Sequence, residues 1–145
     1  MKVFVDANVF VDIFHADRAF HHESVEAYRS LIKNRHTIMT SCDLMTTIYY
    51  IDAKKDKRQA LVNIKNILKT LQVIEFSNDE IEAACDVMEA DETYFDLEDT
   101  LQYILAQKHQ CHLILSNDKK FASKDIPVLT TEEFCQKDLS FGKRP

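Results

Sequence analysis

Aspartates occupy the positions where chemistry is expected. Asp6 follows the apolar run Val3-Phe4-Val5, Asp118 follows Leu113-Ile114-Leu115 and a short polar turn, and Asp43 comes soon after Thr37–Met39. Asp96 and Asp99 open a helical pattern leading into the segment that ends at Asp118. Carboxylates crowded within a few ångströms repel and take up protons unless a cation neutralises them. An all-oxygen donor set suits a hard divalent ion that keeps some of its waters, Mg²⁺ or Mn²⁺. Such an ion can bind a phosphate, activate a water and stabilise a leaving oxygen. With no Ser, Cys or His nucleophile arrangement to set against it, phosphodiester hydrolysis is the best-matched chemistry.

Each acid also has a plain structural role. Asp6 could cap a helix beginning at Asn8, Asp96 is a natural N-cap, Asp43 could cap the helix at Leu44, and Asp118 could be a turn residue. A charge directly after three strand residues is expensive to leave idle, and Asp99 lies inside a helix beside Leu97 and Leu101. A functional role is therefore expected for Asp6, Asp99 and Asp118, while for Asp96 and Asp43 cap and site balance. Asp12, one turn beyond Asn8, reads as a helix-surface residue. His15, Arg18, His21 and His22 fall in a loop that reads as solvated.

The elements that would position these acids follow from periodicity. At 145 residues the chain is expected to form a single domain over 1–139, with 140–145 as a tail. Short runs rich in β-branched residues and Phe mark strands at Val3–Val5, Thr37–Met39, Val73–Glu75, Leu113–Leu115 and Val128–Leu129. Helical patterns lie between them: Glu23–Lys33, Leu44–Ile51, Lys57–Leu71, Asn78–Ala90 and Leu97–His109, with Thr131–Gln136 after the last strand. Strands alternating with helices predict an α/β fold with a mainly parallel sheet of four or five strands, covered on both faces. In such sheets ligands bind at the carboxyl ends of the strands, and all five aspartates map to that end.

Composition narrows the function classes. The one glycine, Gly142, excludes glycine-rich phosphate loops and dinucleotide fingerprints. No apolar run approaches the ~18 residues of a membrane helix, and the N-terminus does not read as a signal peptide, so a cytoplasmic protein is expected. Cys42, Cys85, Cys111 and Cys135 lack zinc-type spacing, and Cys85 and Cys111 read as core residues. Eleven acids and no Lys or Arg lie between Val73 and Asp99, whereas Lys54–Lys69 carries six bases. A net charge of −6 argues against tight non-specific nucleic-acid binding, but not against an enzyme that meets nucleic acid through bound metal.

Four motifs in order carry a family resemblance: Val3-Phe-Val-Asp6-Ala-Asn8-Val-Phe-Val-Asp12, Asp96-Leu-Glu-Asp99-Thr-Leu-Gln-Tyr-Ile-Leu-Ala, Leu113-Ile-Leu-Ser116-Asn117-Asp118-Lys-Lys-Phe, and Ile126-Pro-Val-Leu-Thr-Thr-Glu-Glu-Phe. Together they resemble PIN-domain ribonucleases, particularly the VapC-type toxins of toxin–antitoxin pairs, over essentially the whole chain. The resemblance implies a three-layer α/β/α fold with an acidic pocket at the strand ends. Asp6 and Asp99 would be principal metal ligands, Asp118 would complete the shell or bind through water, Ser116 would stand nearby, and Asn8 would brace Asp6. It further implies cleavage of RNA with Mg²⁺ or Mn²⁺, a homodimer and a cognate antitoxin, the apolar Leu44–Ile51 helix and the next one supplying those contacts. Lys119 and Lys120, beside Asp118, are placed to attract RNA.

One position departs from the family. Where many members carry a glutamate early in the helix after the second strand, this chain has Thr47. Asp43, four residues earlier on the same face, is the candidate replacement. Two other functions stand against the nuclease: a catalytically decayed PIN-like module that binds protein or RNA, and a phosphatase with Asp6 as nucleophile. The latter wants a carboxylate where Asn8 stands.

Overall fold

The computed structural model describes residues 1–142, with side chains through Lys137; of the tail expected at 140–145, residues 140–142 continue the last helix and 143–145 lie outside the described residues. Five strands form one parallel sheet: β1 (Lys2–Val5), β2 (Thr37–Ser41), β3 (Gln72–Ile74), β4 (Leu113–Leu115) and β5 (Val128–Leu129). Their order is β3-β2-β1-β4-β5. The chain thus steps from β1 to one edge and returns to the far side of β1. This places a topological switch point between β1 and β4, where the two strands' carboxyl ends open a crevice.

Right-handed crossovers put the connecting helices on opposite faces for opposite directions of travel. On one side α1 (Ala7–Phe14) packs against α2 (His21–Lys33) and α3 (Cys42–Asp52), and α2 against α7 (Thr131–Gly142). α4 (Lys57–Leu68) extends from α3 as the expected helical pair, and α5 (Asn78–Ala90) pairs with α6 (Leu97–Lys108). The core runs through both layers: Val3, Phe4 and Val5 of β1 and Ile114 and Leu115 of β4 are fully buried, as are Val9, Phe10, Leu31, Leu44 and Leu105 from the helices. Central parallel strands covered on both faces must be continuously apolar, which is why β1 and β4 read as unbroken runs rather than alternating ones.

With no glycine available, α2 and α6 end on residues forced into the left-handed region. Arg35 and Gln110 both have φ 57°. His36 N–H donates to Leu31 O and Cys111 N–H to Ala106 O, the bonds of two Schellman closures. α7 begins on a reciprocal cap, in which Glu133 N–H donates to the Thr130 hydroxyl and Thr130 N–H to Glu133 Oε1.

Apolar residues of the marginal helices look outward, those of α3 and α4 on the helices from which partner contacts were expected. Leu61 and Leu68 of α4, Ile32 of α2, Ile81 of α5, and Tyr50 and Ile51 of α3 are exposed. Helices at the margin of the sheet bury only a narrow stripe, so periodicity overestimates the buried set there. Cys111 is buried as expected, and Cys85 is half-buried. No helix among the described residues is long and apolar enough to cross a membrane.

Candidate active site

Strand register sets the site. Val5 pairs with Leu115 across β1 and β4, so the next residues, Asp6 and Ser116, emerge side by side. Asp6 N–H donates to Leu115 O at 3.0 Å and closes the ladder. Oδ1 of Asp6 then accepts the Ala7 N–H at 2.7 Å, capping α1. Oδ2 accepts the Ser116 hydroxyl at 2.8 Å and the Asn8 amide at 3.1 Å. Cap and site are therefore one and the same carboxylate. Burial pushes the Asp6 pKa up; the hydrogen bonds from Ser116 and Ala7 and the nearby Gln102 amide oppose this, and the charge of Asp118 adds to it.

The turn after β4 is tied to the same group. Asp118 N–H donates to the Ser116 hydroxyl at 3.1 Å, and Asn117 N–H to Asn8 Oδ1, also at 3.1 Å. Asp118 Oδ1 accepts the Lys120 N–H at 2.9 Å, which leaves Lys119 and Lys120 exposed on the flank of the site.

From the other side comes the first turn of α6. Asp96 is its N-cap, Oδ1 accepting the Asp99 N–H at 2.9 Å. Asp99 is half-buried and its carboxyl is pushed up to about 7, first by desolvation and then by the charges of Asp6, Asp96, Asp118 and Glu98. Glu98, which sequence reasoning missed, is raised by desolvation and by Asp43, Asp6 and Asp96. The signal was present: Glu98 adjoins Asp99 in the first turn of the same helix.

Asp43 joins this field through Glu98, and its Oδ1 accepts the Ser41 hydroxyl. Thr47 does not turn toward the acids. Its hydroxyl donates to the Asp43 carbonyl at 3.4 Å, a bond to its own helix one turn back.

Among the described residues, no three His, Cys, Asp or Glu side chains form a ready-made metal cage. The Asp99 carboxyl is raised first by burial and then by the neighbouring carboxylates, a field that a cation would neutralise. The donors are all oxygen, and the charge they need is positive. This chemistry fits a hard divalent cation.

Gln102 also lay outside the sequence reading. It sits three residues after Asp99 in α6, is 1% exposed, and neither amide atom has a hydrogen-bond partner. The amide is near enough to Asp6 to favour its charged form, without hydrogen-bonding alignment. Its sequence signal was an amide among the apolar residues Leu101, Tyr103, Leu105 and Ala106 of the same helix.

Behind the acids lies a buried polar scaffold that corrects the expectations for Asp12 and the histidine-rich loop. Asp12 is 3% exposed rather than on a helix surface. It accepts Arg18 Nε at 2.9 Å and Asn117 Nδ2 at 2.8 Å, and its carbonyl lies 2.9 Å from His21 Nδ1. Asn117 continues the scaffold, donating to Ser24 at 3.0 Å and accepting from Thr131 N–H at 2.9 Å. His15 is buried too, with Nε2 at 2.9 Å from Asp52 Oδ1, although not in hydrogen-bond alignment. Arg18 and His22 of the group are exposed as expected, and His21 is half-buried. Contacts across distant segments bury Asp12 and His15, and local polarity carries no trace of such contacts.

A family model described as PIN domain matches residues 3–127. The chain belongs to the PIN domain family. This PIN domain is 54% identical over 136 residues to Ribonuclease VapC1 of Aquifex aeolicus (strain VF5), covering 94% of each chain. Solved structures share its fold at low identity. The Sarcin-Ricin loop cleaving toxin VapC20 of Mycobacterium tuberculosis superposes with a TM-score of 0.69 at 19% identity, covering 82% of this chain and 92% of that one. VapBC2 from Rickettsia felis, bound to a DNA fragment from its promoter, gives 0.71 at 19% identity, covering 90% and 98%. The three-layer α/β/α arrangement implied by the motifs is thus the fold of the chain.

Proposed function

We propose that this PIN domain is a metal-dependent endoribonuclease and the toxin of a VapBC-type toxin–antitoxin pair. The observation that carries this reading is the convergence at the switch point of the sheet: Asp6 and Ser116 side by side, Asp118 tied to Ser116, and the first turn of α6 bringing the charge of Asp99 to them. Acids held against mutual repulsion are poised for a cation, and the 54% identical relative is a ribonuclease.

Asp6, Asp99 and Asp118 hold Mg²⁺ or Mn²⁺ in this reading. When bound, the ion supplies Lewis acidity and charge neutralisation for phosphodiester hydrolysis. Ser116 and Asn8 fix the Asp6 carboxylate, whose Oδ2 they share. Asp96 adds charge while capping α6, and Asp43 with Glu98 supplies carboxylate charge on the α3 side, where the family glutamate is Thr47. Lys119 and Lys120 draw the RNA backbone to the flank of the acids. The exposed Tyr50 and Ile51 of α3 with Leu61, Val62 and Leu68 of α4 form the surface for a second copy and for the antitoxin. The protein acts in the cytoplasm, where RNA substrate and antitoxin would both be met.

RNA cleavage by Asp6→Asn and Asp99→Asn tests the reading, with metal titrated from zero. Each variant should lose at least a hundredfold in rate, and cleavage at the wild-type rate by either one defeats the mechanism. A second reading, a PIN-like module that binds protein or RNA without cleaving it, is favoured by Thr47, whose hydroxyl is spent on its own helix. Full biological activity in the Asp6/Asp99 double variant supports that reading; loss of activity counts against it.

A further inference from the structure

A cleft of about 570 Å³ opens directly beside the acids and shares Ser116 and Asp118 with them. It lies over the connection from β4 to β5 and the start of α7, with Ile126, Pro127 and Val128 along its apolar side and Lys119 and Lys124 on its rim. Its size falls within the ~300–1,000 Å³ of sites that enclose one small organic ligand. We propose that this cleft seats one ribonucleotide next to the scissile phosphate: the base lies along the apolar side, and Lys119 and Lys124 take its phosphates. The proposal rests on the nuclease reading and adds to it the location of the substrate.

Continuity is the first argument. A polynucleotide whose phosphodiester lies at Asp6, Asp99 and Asp118 must lead its next nucleotide onto adjoining surface, and this cleft adjoins Asp118. The other comparable cleft, about 610 Å³ beside β3, is lined by Met39, Gln72 and Phe76 among others and includes none of the site acids.

Charge is the second argument. Besides Asp118, which belongs to the site, the cleft wall holds two acids, each tied to a neighbouring group by hydrogen bonds. Asp125 accepts the Tyr103 hydroxyl at 2.8 Å and Gln107 Nε2 at 3.2 Å. Glu133 accepts the Thr130 N–H at 3.2 Å in the cap of α7. Lys119 and Lys124 feel Glu133 and Asp91 from a distance without closing a salt bridge among the described residues. Two exposed ammonium groups flanking an apolar strip match a base with a phosphate on either side.

The test needs no cleavage. Isotopically labelled protein is titrated with adenosine 5′-monophosphate, uridine 5′-monophosphate and inorganic phosphate while backbone amide signals are followed by NMR. A nucleotide in the cleft shifts the amides of residues 119–130 in preference to the rest. Lys119→Glu and Lys124→Glu, both at exposed positions, should each weaken that response about fivefold while leaving the melting temperature in place. Equal shifts with inorganic phosphate would reduce the cleft to an anion site and overturn the proposal. So would shifts centred elsewhere, no shifts, or lysine variants that respond like the wild type. Failure of the nuclease reading shows separately, as absence of metal-dependent cleavage by the wild type.

Discussion

Replacing Gln102 with leucine should make the metal-free protein more stable and its response to metal weaker. The side chain is 1% exposed, and neither Oε1 nor Nε2 has a partner. A buried polar group left unsatisfied costs about 1–3 kcal/mol, and leucine fills similar space without that penalty. For a domain near 150 residues each kcal/mol is worth roughly 2–4 °C, so the metal-free variant should melt about 2–12 °C higher. An amide retained at such cost has a function elsewhere, and its neighbour is Asp6, whose charged form it favours. If the loss weakens Mn²⁺ binding tenfold, the metal-dependent stabilisation at saturating Mn²⁺ falls by about 1.4 kcal/mol. Thermal melting with and without Mn²⁺, at constant ionic strength, reads both changes. A metal-free variant that melts below the wild type would refute the account of an unsatisfied amide. An unchanged Mn²⁺ increment would refute its service to Asp6.

Other perturbations have equally definite signs. Asp99 binds its proton more tightly folded, at about 7, than in an unfolded chain near ~3.9, so its contribution to metal-free stability is full below pH ~4 and is lost as pH rises through 7. Asp99→Asn should flatten the fall in melting temperature between pH 4 and 7, and an unaltered profile would refute the assigned burial and repulsion. Asp12→Ala takes a buried acceptor from the Asn117 amide while Arg18 turns to solvent, and urea denaturation should show a loss of about 1–3 kcal/mol. A loss under about 0.5 kcal/mol would place Asp12 on an ordinary surface. Arg35→Gly relieves the left-handed C-terminus of α2 and should add about 1 kcal/mol, measurable as a higher melting temperature.

The sequence by itself determined the elements and the end of the sheet at which the acids gather. Apolar runs such as Val3-Phe4-Val5 and Leu113-Ile114-Leu115 read as buried parallel strands, and the acid that follows, directly as Asp6 or after a short turn as Asp118, must appear at the carboxyl end. α5 matches its expected span of Asn78–Ala90 because its start and its periodicity are both local properties. Asn8 hydrogen-bonds Asp6, as the family resemblance implied, since a turn into α1 brings the two together.

Only the tertiary structure decided which polar groups are buried and what each of them faces. Asp12 and His15 look like surface residues in any local window, yet they are enclosed by Asn117 and Asp52, which lie far away along the chain. Glu98, with Asp96 and Asp99, differs from the acids of α5 because the start of α6 brings it into the field of Asp43 and Asp6. The same distinction governs Thr47 and Gln102. Thr47 satisfies its hydroxyl within its own helix, a bond that any helix offers, whereas Gln102 meets Asp6 only when α6 packs over the end of β1. Burial and electrostatic coupling depend on distances between segments that pattern along the chain does not encode, so the acids could be counted from sequence but their mutual field could not.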